Sequence, residues 1–156
     1  ILNRMLESVG ISKKLTIDQL VGLLSDIFPK IQFQHVEIES LNTLSKGCVG
    51  FFTYYNDSEF PLQIDLLIRY QDNTDLREQF LAQAISQRLK CAAIVGYQKQ
   101  GSSQPHKNLI FEDDKVYLAS DLDSKLAGEG EEAVMRIKEL KDFQVASFGD
   151  DGNLID

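Results

Sequence analysis

His35, Glu37 and Glu39 stand at i, i+2 and i+4. On a strand this spacing puts all three on one side, about 7 Å apart per step, at the limit of what one metal ion can share. The solvent side of any strand shows the same pattern. His106 lies in a polar stretch beside Lys107, and spacing assigns it no serine or cysteine nucleophile, so a Ser-His-Asp arrangement is not specified. Asp121-Leu122-Asp123 begins like a calcium loop but lacks the following glycine and the closing bidentate glutamate. Asp65 occupies a strand-like run, as the first carboxylate of a strand-borne nuclease centre would. The run from Cys91 to Gly96 holds no carboxylate or lysine to complete that centre. Gly96 and Gly101 stand alone, so no glycine-rich phosphate cradle is encoded. Cys48 and Cys91, 43 residues apart in apolar surroundings, read as small buried hydrophobes rather than a disulfide or zinc ligands. On these residues the chain reads as non-enzymatic, with no metal and no cofactor.

Charge is the feature that this chemistry leaves over. The 156 residues carry 24 Asp plus Glu against 16 Lys plus Arg, a net charge of −8. Residues 1–111 balance, with 11 acidic and 11 basic side chains, whereas residues 112–156 hold 13 acidic and 5 basic ones. Glu112, Asp113, Asp114, Asp121, Asp123, Glu129, Glu131 and Glu132 fall within 21 positions. One reading is a solvated surface that keeps the domain soluble. The other is a surface that meets a basic partner, since charge of one sign gathered on one face speeds association and repels like-charged competitors. Nucleic acid and anionic membrane are excluded as general partners, because both would be repelled. No apolar run reaches the roughly 18–20 residues of a membrane span. The opening Ile1-Leu2-Asn3-Arg4-Met5-Leu6-Glu7 has no basic-then-apolar signal pattern, so the expected location is cytoplasmic.

The elements that position these residues follow from periodicity. A hydrophobic content of 43% supports a folded core, and the length suits one domain over residues 1–156. Ile1, Leu2, Met5, Leu6 and Val9 have helical spacing, with Gly10 as the stop. Thr16, with Gln19 three positions on, predicts a capped helix over 16–28, ended by Pro29. Three strands follow, over 34–39 (Val36 and Ile38 inward), 48–55 and 62–70, and short connections make them an antiparallel meander. A helix over 74–89 leads into the apolar run 91–96, a buried strand parallel to the third through a right-handed crossover. A polar loop spans 98–107. A hairpin then pairs 108–111 with 116–119 around Glu112-Asp113-Asp114-Lys115. A last helix spans 131–141 on Ala133, Val134, Ile137 and Leu140, and Phe143, Val145 and Phe148 add a short strand or dock on the surface. The expected class is α+β: a single mixed, mostly antiparallel sheet of five or six strands packed on one face by helices, in the order α-α-β-β-β-α-β-β-β-α.

Within this order lie Phe60-Pro61-Leu62-Gln63-Ile64-Asp65, the helix ending Ala82-Gln83-Ala84-Ile85-Ser86-Gln87-Arg88-Leu89, the strand Cys91-Ala92-Ala93-Ile94-Val95, and the hairpin from Leu109 to Leu118. Over residues 60–122 this succession resembles immunity proteins of bacterial contact-dependent growth inhibition and other polymorphic toxin systems. It carries no invariant motif. The resemblance implies a small cytoplasmic, non-enzymatic protein that binds one toxin domain, frequently a nuclease, and blocks it. A nuclease is basic where it holds phosphates, so a carboxylate-rich face can cover that site by mimicking its substrate's charge. Two other functions fit the sequence: an acidic secretion chaperone or adaptor holding an effector segment on an apolar groove or sheet edge, and an enzyme acting on a small molecule in a pocket around His35 or His106.

Overall fold

Thr16 and Gln19 close the capping box that their spacing predicts. Thr16 Oγ1 accepts the Gln19 N–H at 3.1 Å, and Gln19 Oε1 accepts the Thr16 N–H at 2.9 Å. The helix they start, α1 (Ile17–Ile27), buries Leu20, Leu23, Leu24 and Ile27. Helix α2 (Thr74–Leu89) follows the predicted span, with Asp75 in its first turn and Arg88 in its last, both matched to the helix dipole. The computed structural model describes residues 6–68, 72–97, 106–128 and 130–155. The predicted loop over 98–105, the start of the predicted first helix (1–5) and the end of the third strand (69–70) lie outside the described residues.

Eight strands form one mixed sheet, not five or six. They are β1 (Leu6–Ile11), β2 (Gln32–His35), β3 (Cys48–Tyr55), β4 (Leu62–Leu67), β5 (Ala93–Gly96), β6 (Lys107–Glu112), β7 (Lys115–Ser120) and β8 (Met135–Glu139). Their order across the sheet is β2-β3-β4-β1-β5-β6-β7-β8. A short 3-10 helix, Ile38–Thr43, follows β2. The fold class is therefore α+β as expected, with a different strand count and element order.

Four sequence expectations are corrected. Residues 6–11 are a strand rather than the end of a helix, because Glu7, Val9 and Ile11 alternate inward at period two. The charge on Glu7 hid that alternation. Gly10 does not stop the element; it pairs with Gln63 on one side and Ile94 on the other. The segment after His35 leaves the sheet, so Ile38 is 56% exposed instead of sharing an inner face with Val36. Strand β2 also runs parallel to β3, from Gln32 opposite Cys48 to His35 opposite Phe51, so the three strands are not a meander. Only β3 and β4 pair antiparallel as foreseen.

The last correction concerns residues 131–141, where β8 replaces the predicted helix. Val134 packs in the cluster with Phe60 and Ile94, whereas Leu140 packs against the cluster on the helix side of the sheet. One helical stripe cannot serve two opposite surfaces, whereas the register shift in the β7–β8 pairing turns residues six apart to opposite faces. Strands β4 and β5 both run antiparallel to β1, so they share a direction as expected, with β1 inserted between them.

The main core lies between the sheet and the helices. Val9, Ile11, Ile64, Leu66, Leu109 and Phe111 meet Leu20, Leu24, Leu81 and Ile85 there. Full burial of each large apolar side chain contributes about 1.5–3 kcal/mol. The tail docks on this core: Phe148 is buried with its ring 5.4 Å from Phe80, and the Lys30 N–H donates to the Asp150 carbonyl at 3.0 Å. A smaller cluster of Phe60, Ile94, Ile110, Ala119 and Val134 covers part of the opposite face.

Candidate functional site

Strand β7 separates the acidic residues into two patches. At the turn between β6 and β7, Asp113 and Asp114 have φ of 54° and 61°. That is the backbone of a two-residue hairpin turn, which aspartate tolerates. Both are exposed. Glu112 is ion-paired with Arg136 at 3.4 Å, and Lys115 approaches Glu139 at 3.9 Å. Asp121 begins about 20 Å away, beyond the six residues of β7.

At that far end, Asp121, Asp123, Glu131 and Glu132 come together. The Glu132 N–H donates to the Asp123 carbonyl at 3.3 Å, the Lys125 N–H donates to the Glu132 carbonyl at 2.9 Å, and Ser124 bridges Glu132. Asp123, Glu131 and Glu132 are exposed. Lys125 neutralises part of this charge through Asp57 at 3.1 Å and Glu131 at 3.9 Å. Glu129 lies outside the described residues. The single acidic run in the sequence is thus two surfaces, of which the far one gathers most of the exposed carboxylates.

The far patch also carries the apolar surface that a docking site needs. Leu122 is 52% exposed, Met135 60% and Ile137 41%, all at or beside the final strand of the sheet. Met135 lies opposite Ser120, whose hydroxyl accepts the Leu122 N–H at 3.3 Å, so Leu122 and Met135 belong to one corner. Strand β8 is the last in the sheet order, so one side of its backbone has no strand partner among the described residues.

The other sequence candidates are placed as follows. His35 ends β2 with its Nε2 3.1 Å from Thr53 Oγ1, and Glu37 and Glu39 follow outside the strand, so strand spacing does not unite the three. Cys48 and Cys91 are free and half-buried. Among the described residues no group of three or more His, Cys, Asp or Glu side chains could hold a metal ion, and no helix is long and apolar enough to cross a membrane. His106 Nδ1 lies 2.8 Å from Asp121 Oδ1. Asp65 is 6% exposed and accepts from Ser8 Oγ at 2.7 Å and Gln63 Nε2 at 2.9 Å.

Periodicity and motif searching missed two polar groupings. On the helix side of the sheet, Glu7 and Arg77 form an ion pair at 3.2 Å with each side chain 1% exposed. Burial pushes the Glu7 carboxyl up to about 8 against the pull of Arg77, and burial pushes Glu78 up to about 7 although the Ser8 N–H donates to it. On the opposite side Ser8, Gln63, Asn108 and Asp121 line a recess of about 220 Å³. Gly10 and Gly96, two strand glycines where side chains would be expected, were the sequence signal for it.

No known family model, curated protein or solved structure matches this chain.

Proposed function

We propose that this protein is a non-enzymatic binding protein that neutralises a cognate bacterial toxin domain, a basic nuclease, by docking on it through the corner around Leu122, Asp123, Glu131, Glu132 and Met135. The observation that supports this reading most directly is the coincidence, at one end of the sheet, of exposed apolar side chains with exposed carboxylates. The apolar residues supply area to bury, and the outer edge of β8, without a strand partner among the described residues, can accept a strand of the partner. The carboxylates steer a basic surface into place and occupy its phosphate-binding groups. No catalytic side chain is required of such an inhibitor.

The test uses the toxin domain encoded beside this protein. Reversing charge in the triple variant Asp123→Lys, Glu131→Lys, Glu132→Lys should slow association at low salt by about 10-fold or more and flatten its salt dependence. The double variant Asp113→Lys, Asp114→Lys at the opposite end should change it much less. Equal effects of the two variants, or none from the triple, would remove the corner as the interface. A stable dimer that captures an unfolded effector segment on the same edge would replace this reading by that of a secretion adaptor.

A further inference from the structure

The recess on the open face of the sheet has committed part of its hydrogen-bonding capacity internally. Ser8 Oγ donates to Asp65 Oδ1 at 2.7 Å, and Gln63 Nε2 donates to the same oxygen at 2.9 Å. Asn108 Nδ2 donates to the His106 carbonyl at 2.9 Å, and the His106 ring pairs with Asp121 Oδ1 at 2.8 Å. Because a carboxylate and a carbonyl only accept, these partners fix which way both amides face. What remains is one N–H on each amide and a set of acceptors. Gln63 Oε1, Asn108 Oδ1, Asp65 Oδ2 and Asp121 Oδ2 take no hydrogen bond from any described residue. Asp65, 94% buried, has no Lys or Arg ion-pair partner among the described residues. A buried carboxylate without a cation is costly, and a cation that completes the site recovers that cost.

The floor leaves room for such a group. A Cβ built on Gly96 meets no atom within 4 Å, so the space over β5 is open. We propose that this recess binds an alkylammonium or guanidinium group, presented either by a lysine or arginine side chain of a protein partner or by a free small amine. Asp121 in the lining supplies the charge, with Asp65 behind it on Ser8 and Gln63, and the Gln63 and Asn108 carbonyl oxygens accept the N–H groups. The recess adjoins the acidic corner through Asp121, next in sequence to Leu122, so a partner docked on that corner has a basic side chain within reach of it. The binding chemistry itself requires no partner.

The test titrates the whole protein with n-butylammonium and n-butylguanidinium, and with neutral n-butanol as control. Amide resonances of Gly10, Gly96 and Asn108 are followed. Both cations should shift them with a Kd on the order of 1 mM, and n-butanol should not. Gly96→Val, which fills the recess at a position with ordinary backbone geometry, should weaken the cations at least about 10-fold, worth 1.4 kcal/mol, while keeping the remaining spectrum. Should that variant fail to fold, Gly96→Ala with Asp121→Asn provides the same comparison. No shift with either cation, equal shifts with n-butanol, or unchanged binding in the filled variant overturns the proposal. Putrescine or agmatine binding in the micromolar range identifies a free amine. Millimolar binding of all free amines, with Gly96→Val weakening the toxin complex, identifies a partner's side chain. Because the cation titration needs no toxin, it can fail while the corner reading stands, and the reverse.

Discussion

Glu7 and Ser8 are neighbours in β1 whose side chains lie on opposite faces of the sheet, and the two faces handle buried polarity in opposite ways. Behind the helices a buried arginine is tied into the scaffold, although neither Glu7 carboxyl oxygen accepts a hydrogen bond from a described residue. Arg77, among the largest fully buried side chains, pairs with Glu7, donates to the Asp72 carbonyl at 2.7 and 3.1 Å and to the Gly152 carbonyl at 3.3 Å, and lies 5.5 Å over the Phe148 ring. One guanidinium thus links β1, the start of α2 and the tail. Glu78 reaches the Ser8 N–H at 2.7 Å, where the pairing of β5 with β1, confined to Gly10 and Ile11, does not extend. On the open face the polar groups satisfy one another only in part and turn acceptors toward a cavity. The difference separates polarity that builds the fold from polarity held available for something else.

The largest effect that could break this comparison is at Arg77. Arg77→Met should destabilise the protein by about 3–5 kcal/mol, because Glu7 and the Asp72 and Gly152 carbonyls lose their partner. For a chain of this size that lowers the unfolding midpoint by about 10 °C, measurable by calorimetry. A midpoint that hardly moves would show that the ion pair is not structural.

Next in size is a pH effect on the same face. Burial raises Glu7 to about 8 and Glu78 to about 7 from an ordinary 4.5, so the folded state keeps protons that the unfolded chain has released. Stability from these two groups is present below pH 4.5 and is lost as pH rises through 7 to 8. The unfolding midpoint should therefore be several degrees higher at about pH 5 than at about pH 8, and Glu78→Gln should flatten part of that slope. A midpoint that instead rises over this interval would contradict the assignment of both carboxyls as buried acids.

The smallest effect compares two glycines on the open face. A Cβ at Gly10 would lie 2.6 Å from Ile94 Cγ2, whereas one at Gly96 meets open space. Gly10→Ala should cost about 1–3 kcal/mol as Ile94 is forced aside. Gly96→Ala should leave stability within about 0.5 kcal/mol, as an exposed substitution with no clash does. Chemical denaturation of the two variants checks the pair, and equal costs would mean that the recess is not open.

Local signals in the chain carried much of the fold. Thr16 and Gln19 announced α1, the stripe from Leu76 to Leu89 gave the bounds of α2, and the β-formers of Cys48–Tyr55 marked β3 to the residue. Asp113-Asp114 marked the hairpin turn correctly. Each signal is completed by partners within a few positions. Where it failed, the deciding partner was remote. Glu7 reads as a strand residue only once Arg77 stands over it, and 131–141 reads as a strand only beside the open edge of β7.

The amino-acid sequence alone determined an α+β domain with its net acidity confined to the last 45 residues, because composition, capping and period are properties of short windows. The tertiary structure decided which carboxylates share a surface. It set β7 between the two acidic patches and brought Ser8 against Asp65 from 57 residues away. Strand order and register are set by pairing between distant segments, and no short stretch of chain carries that information.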